Sequence, residues 1–121
     1  MANPSTVPAS ASGTEILRRV VHTPFTNSEF KLIDGTANYT YTVLSIAFCN
    51  PSANDETFHM WIDYEASGTD VYLLNQQPLN ARECFIWNDK IMLAGTDELV
   101  IEAGNTASMA VTCTYIEQRW A

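Results

Sequence analysis

The sequence predicts an all-β protein, a single β-sandwich of seven to nine short antiparallel strands. Three observations support this prediction. Thr, Tyr, Val, Ile, Phe and Trp recur in runs that alternate apolar and polar residues, the period of a half-buried strand. Turn residues separate these runs at short intervals, which is typical of a sandwich. No run has a convincing helical period, and the strand connections could be jelly-roll-like or immunoglobulin-like.

The first 13 residues differ in composition from the rest of the chain. They contain two prolines, many small residues and no charged side chain, so alone they cannot bury enough apolar surface to fold. We therefore expect residues 1–13 to form an extended arm and residues 14–121 to form the sandwich. The run at residues 15–23 is compatible with a helical turn or a strand, and its ending Val-Val-His-Thr before Pro24 favours a strand.

The longest strand patterns lie near the middle of the chain. Residues 38–50 and 56–64 are rich in β-branched and aromatic side chains, and Pro, Asn and Asp in residues 51–55 indicate a turn between them. We expect a central antiparallel hairpin on which the other strands pack. The expected core-facing set of its first strand is Leu44, Ile46 and Phe48.

Six further runs have β character. They are residues 29–34, 69–75, 82–87, 90–93, 97–103 and 108–117. Turn signals at Gly35, Gly68, Pro78, Gly95 and Gly104 separate most of them. Only Asn-Asp stands between residues 82–87 and 90–93, which are compatible with one bent strand or two short ones.

Charge excludes two classes of partner. The chain has a formal net charge of −8, which is the sum of +1 on residues 1–31 and −9 on residues 32–121. Nucleic acids and anionic membranes need clustered Lys and Arg, so neither is an expected partner. No apolar run reaches the roughly 18 residues of a transmembrane helix, and no secretory signal is visible. The low charged fraction, 17%, suggests that partners cover part of the surface.

The three cysteines, Cys49, Cys84 and Cys113, form no metal-binding or redox motif. An odd number without C-x-x-C spacing indicates reduced thiols in a protein made in a cytosol, each acting as a small apolar residue. We therefore expect no disulfide framework.

Candidate catalytic and metal-binding residues are sparse. The two histidines, His22 and His59, lack any metal-ligand spacing. Asp63, Glu65 and Asp70 are close in sequence but lack the calcium-loop pattern, so a solvated acidic loop is expected. We expect no catalytic, cofactor or metal site, and no enzyme activity. Tryptophans on a small β domain remain as candidates for a sugar-binding face.

Several segments, taken in order, resemble small β-sandwich structural proteins of tailed bacteriophage virions. After a start rich in Ser, Ala and Thr comes the strand Val-Leu-Ser-Ile-Ala-Phe-Cys-Asn (43–50) with its polar turn. Phe-His-Met-Trp-Ile (58–62), Tyr-Leu-Leu…Pro-Leu (72–79), Glu-Cys-Phe-Ile-Trp (83–87) and Thr-Asp-Glu-Leu-Val-Ile-Glu (96–102) follow. The resemblance covers residues 14 to 117 and consists of strand patterns, so no catalytic residue carries over.

This resemblance implies a virion structural protein, made in the host cytoplasm, and favours a capsid decoration (cement) protein outside a major capsid shell. The expected partners are the major capsid protein and the chain itself, as a homotrimer. The alternatives are a tail, neck or baseplate component, or a carbohydrate-binding module that uses Trp61 or Trp87. Terminal arms and Arg–Trp pairs are common contact elements. The expected contact residues are Asn3, Pro4, Val7, Pro8, Arg18, Arg19, Arg119 and Trp120.

Overall fold

The computed structural model describes residues 13–105 and 109–120, with only the backbone of Thr14 and Trp120. These residues form nine strands and no helix, and hence no helix that could span a membrane. The strands are β1 (Gly13–Phe25), β2 (Phe30–Asp34), β3 (Tyr39–Cys49), β4 (Glu56–Tyr64), β5 (Thr69–Leu79), β6 (Cys84–Trp87), β7 (Ile91–Ala94), β8 (Glu98–Ala103) and β9 (Met109–Trp120).

The strands form two antiparallel sheets that pack face to face. Sheet A has the order β1-β9-β3-β6, with β7 also paired to β3, and sheet B has the order β2-β8-β4-β5. The chain changes sheet at most of its connections, and β1 at its beginning pairs with β9 at its end. This order is that of a jelly roll. The predicted β-sandwich is confirmed, and its connections are of the jelly-roll type.

The predicted central hairpin is wrong. β3 and β4 have nearly the expected bounds, but β3 lies inside sheet A and β4 inside sheet B. They face each other across the core, where the ring centroids of Phe48 and Phe58 are 4.3 Å apart. Each of the two strands has one strongly buried face, and the packing of the two sheets buries these two faces against each other. The loop at residues 50–55 is long enough to cross the roughly 10 Å between packed sheets.

Asn50 holds the corner at which the chain leaves sheet A. Its side chain is 1% exposed. Nδ2 donates to the carbonyl oxygens of Asn54 (2.7 Å) and Leu79 (3.0 Å). Oδ1 accepts from the backbone N–H and the hydroxyl of Ser52. One buried amide therefore joins the loop after β3 to the end of β5.

The core lies between the sheets and is rich in aromatic rings. Phe25 packs within 6.2 Å of Phe48 and 6.1 Å of Phe58, measured between ring centroids. Leu44 departs from its expected core position, because β3 shifts register with β9 between Val43 and Ser45 and leaves Leu44 half-buried. The core-facing residues of β3 are Tyr41, Val43, Ile46 and Phe48.

Most strand bounds match the expectations within a few residues. β5 continues through Pro78 to Leu79, beyond the expected end at residue 75, because two register shifts and a positive φ at Gln76 let it bend and continue. The region 82–94 forms two short strands, both paired to β3. β1 begins at Gly13, which was expected in the arm. The rest of the expected arm lies outside the described residues.

The expectation of three reduced cysteines is wrong for two of them. Cys49 and Cys84 are directly opposite each other on β3 and β6, with their Cα atoms 4.1 Å apart, and form a disulfide. Cys113 is a free thiol in the core, as expected of a small apolar residue. Burial raises its pKa from 9.0 to about 12, so it stays protonated at neutral pH.

Candidate functional site

The expected contact residues on the described strands lie on the edge strand of sheet A and on its neighbour. Arg18 and Arg19 are on the edge strand β1, and Arg119 lies near the end of the neighbouring β9. Arg18 forms an ion pair with Glu117, with 3.3 Å between Nε and Oε1. Arg19 is exposed, and no ion pair reaches it from the described residues. Asn3, Pro4, Val7 and Pro8 lie outside the described residues, as does the side chain of Trp120.

The outward side of sheet A is a broad surface with little charge. Buried and half-buried residues alternate along β3 and β9, which identifies the side chains that point away from the core. In the observed register three neighbouring rows of these side chains cross the middle of the sheet. These three rows are Leu17–Ile116–Thr42–Met92, Arg19–Thr114–Ser45 and Val21–Thr112–Ala47–Ile86. A further outward row, Glu15–Gln118–Thr40–Ala94, lies beside them and adds one carboxylate. We call this surface the A face.

Large apolar side chains are exposed at the ends of these rows. Leu17 is 60% exposed and Met92 67%, at opposite ends of one row. Val21 and Ile86, at the ends of another, are 59% and 52% exposed. Between them lie Thr, Ser, Ala and Ile, with Arg19 as the one charged side chain of the three rows. Four large apolar side chains at the ends of such rows indicate a protein-contact surface.

The outward side of sheet B has the opposite character. One row across it consists of four carboxylates, Asp34–Glu98–Asp63–Asp70. Lys31 Nζ lies 2.9 Å from Glu98 Oε2, and this hydrogen bond raises the pKa of the lysine. Glu102 adds another carboxylate. We call this surface the B face. Like charges directly opposite one another repel, so the B face favours exposure to water over burial against a partner.

Trp61 and Trp87 do not form an exposed sugar-binding platform. Trp61 points to the B face but is only 4% exposed, because Tyr72 covers it with ring centroids 5.3 Å apart. Trp87 lies on the inner side of β6 and packs against the core. Neither indole presents an exposed face for stacking on a sugar ring. The structure therefore offers no sugar-binding site at Trp61 or Trp87.

The candidate residues for metal binding or acid–base chemistry make local contacts that stabilise the fold. His22 stacks on Phe30, with ring centroids 3.6 Å apart. His59 Nδ1 accepts the backbone N–H of Gln76 at 3.1 Å. Asp63 Oδ1 accepts the backbone N–H of Gly68 at 2.8 Å and thereby closes the β4–β5 turn. The part of the chain that the structure describes has no cluster of three or more His, Cys, Asp or Glu side chains able to hold a metal.

Sequence reasoning found the arginines of β1 but missed the A face as a surface. Its rows combine residues of β1, β3, β6, β7 and β9, which only the sheet order brings together. The sequence does contain a sign of this surface, in Thr112 and Thr114 on β9 and in Thr42, Ser45 and Ala47 on β3. Small, uncharged residues at the outward positions of two long strands indicate a surface adapted for contact.

No family model and no curated protein matches the chain. Among solved structures, a chain of the disulfide-linked pili of Bacillus endospore appendages matches with a TM-score of 0.54 and 8% identity, covering 100% of both chains. A chain of the acid-stable capsid of Helicobacter pylori bacteriophage KHP30 matches with a TM-score of 0.53 and 14% identity, covering 88% of this chain and 89% of that one. These likenesses show a common fold.

A third match is a chain from the virus-like particle of the extra small virus of the giant freshwater prawn Macrobrachium rosenbergii. It has a TM-score of 0.47 and 8% identity, and covers 97% of this chain and 86% of that chain.

Proposed function

We propose that this chain is a virion structural protein, a decoration (cement) protein that binds the outside of a major capsid shell. The observation that carries the proposal is the A face, a wide and nearly uncharged sheet surface with exposed Leu17, Val21, Ile86 and Met92. Such a surface stabilises an assembly by burying apolar area against another protein.

The distribution of charge gives the bound protein an orientation. The A face lies against the shell, because little desolvation of charge opposes its burial. The B face points to solvent, because like charges directly opposite one another along its row of carboxylates oppose burial against a partner. The jelly roll is also the fold of the phage-capsid chain described above, and it supplies a rigid support for such a surface.

The arm and the chain ends supplement this contact. Gly13 pairs with Trp120 and Thr14 with Arg119 at the end of sheet A, so residue 12 joins the described strands at this corner. We propose that residues 1–12 reach a neighbouring capsid subunit from this corner, with Arg119 and Trp120 as adjoining contacts. The expected homotrimer stays a prediction, and the strand pairing proposed below, which gives a dimer, is an alternative to it.

Binding to empty capsids of a matching major capsid protein tests the proposal. We expect saturable binding that raises the temperature at which the shells rupture. Deletion of residues 1–12 keeps β1 whole and is expected to weaken binding. Absence of binding by both the full chain and the deletion variant would overturn the proposal and favour a tail, neck or baseplate position.

A matched pair of substitutions tests the orientation. Met92→Lys places a charge on the A face, and Val71→Lys places the same charge on an exposed apolar residue of β5 in sheet B. We expect Met92→Lys to weaken capsid binding at least about tenfold, because an unpaired buried charge is costly. Val71→Lys should bind like the unmodified protein. Equal weakening by both variants would contradict burial of the A face.

A further inference from the structure

We propose that β1 is a self-association site at which two copies of this chain pair antiparallel, centred on Leu17, so that their A sheets join into one continuous sheet. The proposal concerns the isolated protein and does not depend on capsid binding. It rests on the form of the β1 edge, on its charge pattern, and on the apolar row that ends at Leu17.

β1 is the longest regular edge in the described sandwich. β2 is short and shifts register with its neighbour, and β6 and β7 divide the opposite edge of sheet A into two short pieces. β5 bends at two register shifts and contains Pro78. By contrast, β1 holds one register with β9 from Gly13 to His22, and Pro24 lies beyond this stretch. Within the described residues, only β9 pairs with β1. A long regular edge of this kind is a template for another strand.

The charges on β1 select one register. Glu15, Leu17 and Arg19 share the outward side of the strand because side chains alternate. Antiparallel pairing of two copies centred on Leu17 puts Glu15 of each copy opposite Arg19 of the other. Centring on Glu15 or on Arg19 instead puts two like charges opposite each other, which is unfavourable. Only the Leu17 register gives both charges a partner of opposite sign.

The same register extends the apolar surface. Leu17 ends the row Leu17–Ile116–Thr42–Met92, so pairing about Leu17 joins this row to its copy and covers a side chain that is 60% exposed. On the inner side, Arg18 comes opposite Ile16 of the second copy. Arg18 already has Glu117 as its ion-pair partner, so this position introduces no unpaired charge.

The resulting interface is isologous. Each copy uses the same strand, so pairing closes after two copies instead of propagating into a fibre. The expected product is a dimer with a sheet twice as wide and an A face twice as large, on the same side of both subunits.

A charge-swap series tests the register by sedimentation equilibrium across a dilution series. We expect the unmodified chain to dimerise. Glu15→Arg or Arg19→Glu alone should raise the dimer dissociation constant at least about tenfold, because each sets two like-charged pairs across the interface. The double variant restores both pairs with their signs exchanged and should dimerise nearly as well as the unmodified chain. Lys90→Glu, which makes the same charge change on an exposed lysine away from β1, is the control.

A cross-linking experiment supplies a second readout that does not depend on charge. In the proposed dimer the two copies of residue 17 lie opposite each other, with Cα atoms about 4.5–5.5 Å apart, within disulfide reach. Leu17→Cys should give a covalent dimer under mild oxidation, whereas Val71→Cys, comparably exposed on the β5 edge, should not. A monomer at all concentrations, a trimer, equal effects of Arg19→Glu and Lys90→Glu, or no selective cross-linking of Leu17→Cys would each overturn the proposal.

Discussion

Asn50 and Cys113 are two buried side chains whose chemical groups have definite consequences for stability. Asn50 is polar and fully satisfied, with donors and acceptors in use on both sides of its amide. Cys113 is a thiol enclosed by apolar neighbours, with no ionised form available at neutral pH. The first is sensitive to the loss of its hydrogen bonds, and the second is sensitive to alkaline pH.

Replacing Asn50 by Ala should destabilise the fold strongly. The substitution leaves the Leu79 carbonyl and the Ser52 groups without their partner, and we expect a loss of about 2–3 kcal/mol in the free energy of unfolding. Asn54→Ala is the matched control, because Asn54 contributes its backbone carbonyl and its side chain is exposed. Urea unfolding of both variants measures the difference. A loss for Asn50→Ala no larger than for Asn54→Ala would contradict the role given to this amide.

The buried thiol of Cys113 should lower the free energy of unfolding at alkaline pH. Above pH 9 the thiol of the unfolded chain ionises, while the folded thiol keeps its proton up to about pH 12. The unfolded state then binds fewer protons, so the free energy of unfolding falls by about 1.4 kcal/mol per pH unit from this group. Burial also raises the pKa of Tyr115, which adds a fall in the same direction.

Urea unfolding from about pH 8 to pH 11 measures this slope in the unmodified chain and in Cys113→Ala. The variant should lose the thiol contribution and keep that of Tyr115, so its stability should fall less steeply with pH. Parallel pH profiles for the two proteins would refute the assignment, whatever their difference in absolute stability.

Among the elements, β3 and β6 are joined by the disulfide between Cys49 and Cys84, which are 35 residues apart in the chain. Between these cysteines the chain crosses to sheet B, forms β4 and β5, and returns to sheet A. The bond therefore ties together the two points at which the chain leaves and re-enters sheet A.

Removal of this disulfide should lower the free energy of unfolding by about 4 kcal/mol, the loop-closure value for this separation. Cys49→Ala combined with Cys84→Ala tests the loss by urea unfolding. Thiol titration of the unfolded chain should find one reactive thiol without reductant and three with it. In Cys113→Ala the corresponding numbers should be none and two. Three thiols without reductant would show that the pair is not oxidised.

The element scale also shows how far the sequence predicts this fold. The pattern of β-type runs between turn residues located β2, β4 and β8 to within one residue. It could not assign β3 and β4 to different sheets, because alternation describes faces of a strand and not its neighbours. The disulfide was missed for a related reason. Cys49 and Cys84 are distant in the sequence, and only the β3–β6 pairing brings them together.

At the scale of the whole molecule, charge and apolar surface lie on opposite sides of the sandwich. The cations of β1 were visible in the sequence, and the A face was not, since four neighbouring strand pairings assemble it. The net charge of −8 is therefore not spread evenly. The carboxylates of the B face repel a second B face, while the A face can be buried at little electrostatic cost.

The pairing of β1 with β9 brings the first strand and the last strand to one corner, where Gly13 lies opposite Trp120. An affinity tag or a displayed peptide fused at the C-terminus would extend from the domain close to the point at which residues 1–12 join it. A fusion there would crowd any contact made by that segment. Insertion at the β1–β2 loop, where Asn27 and Ser28 lie exposed at the opposite end of β1, would keep the added sequence away from this corner.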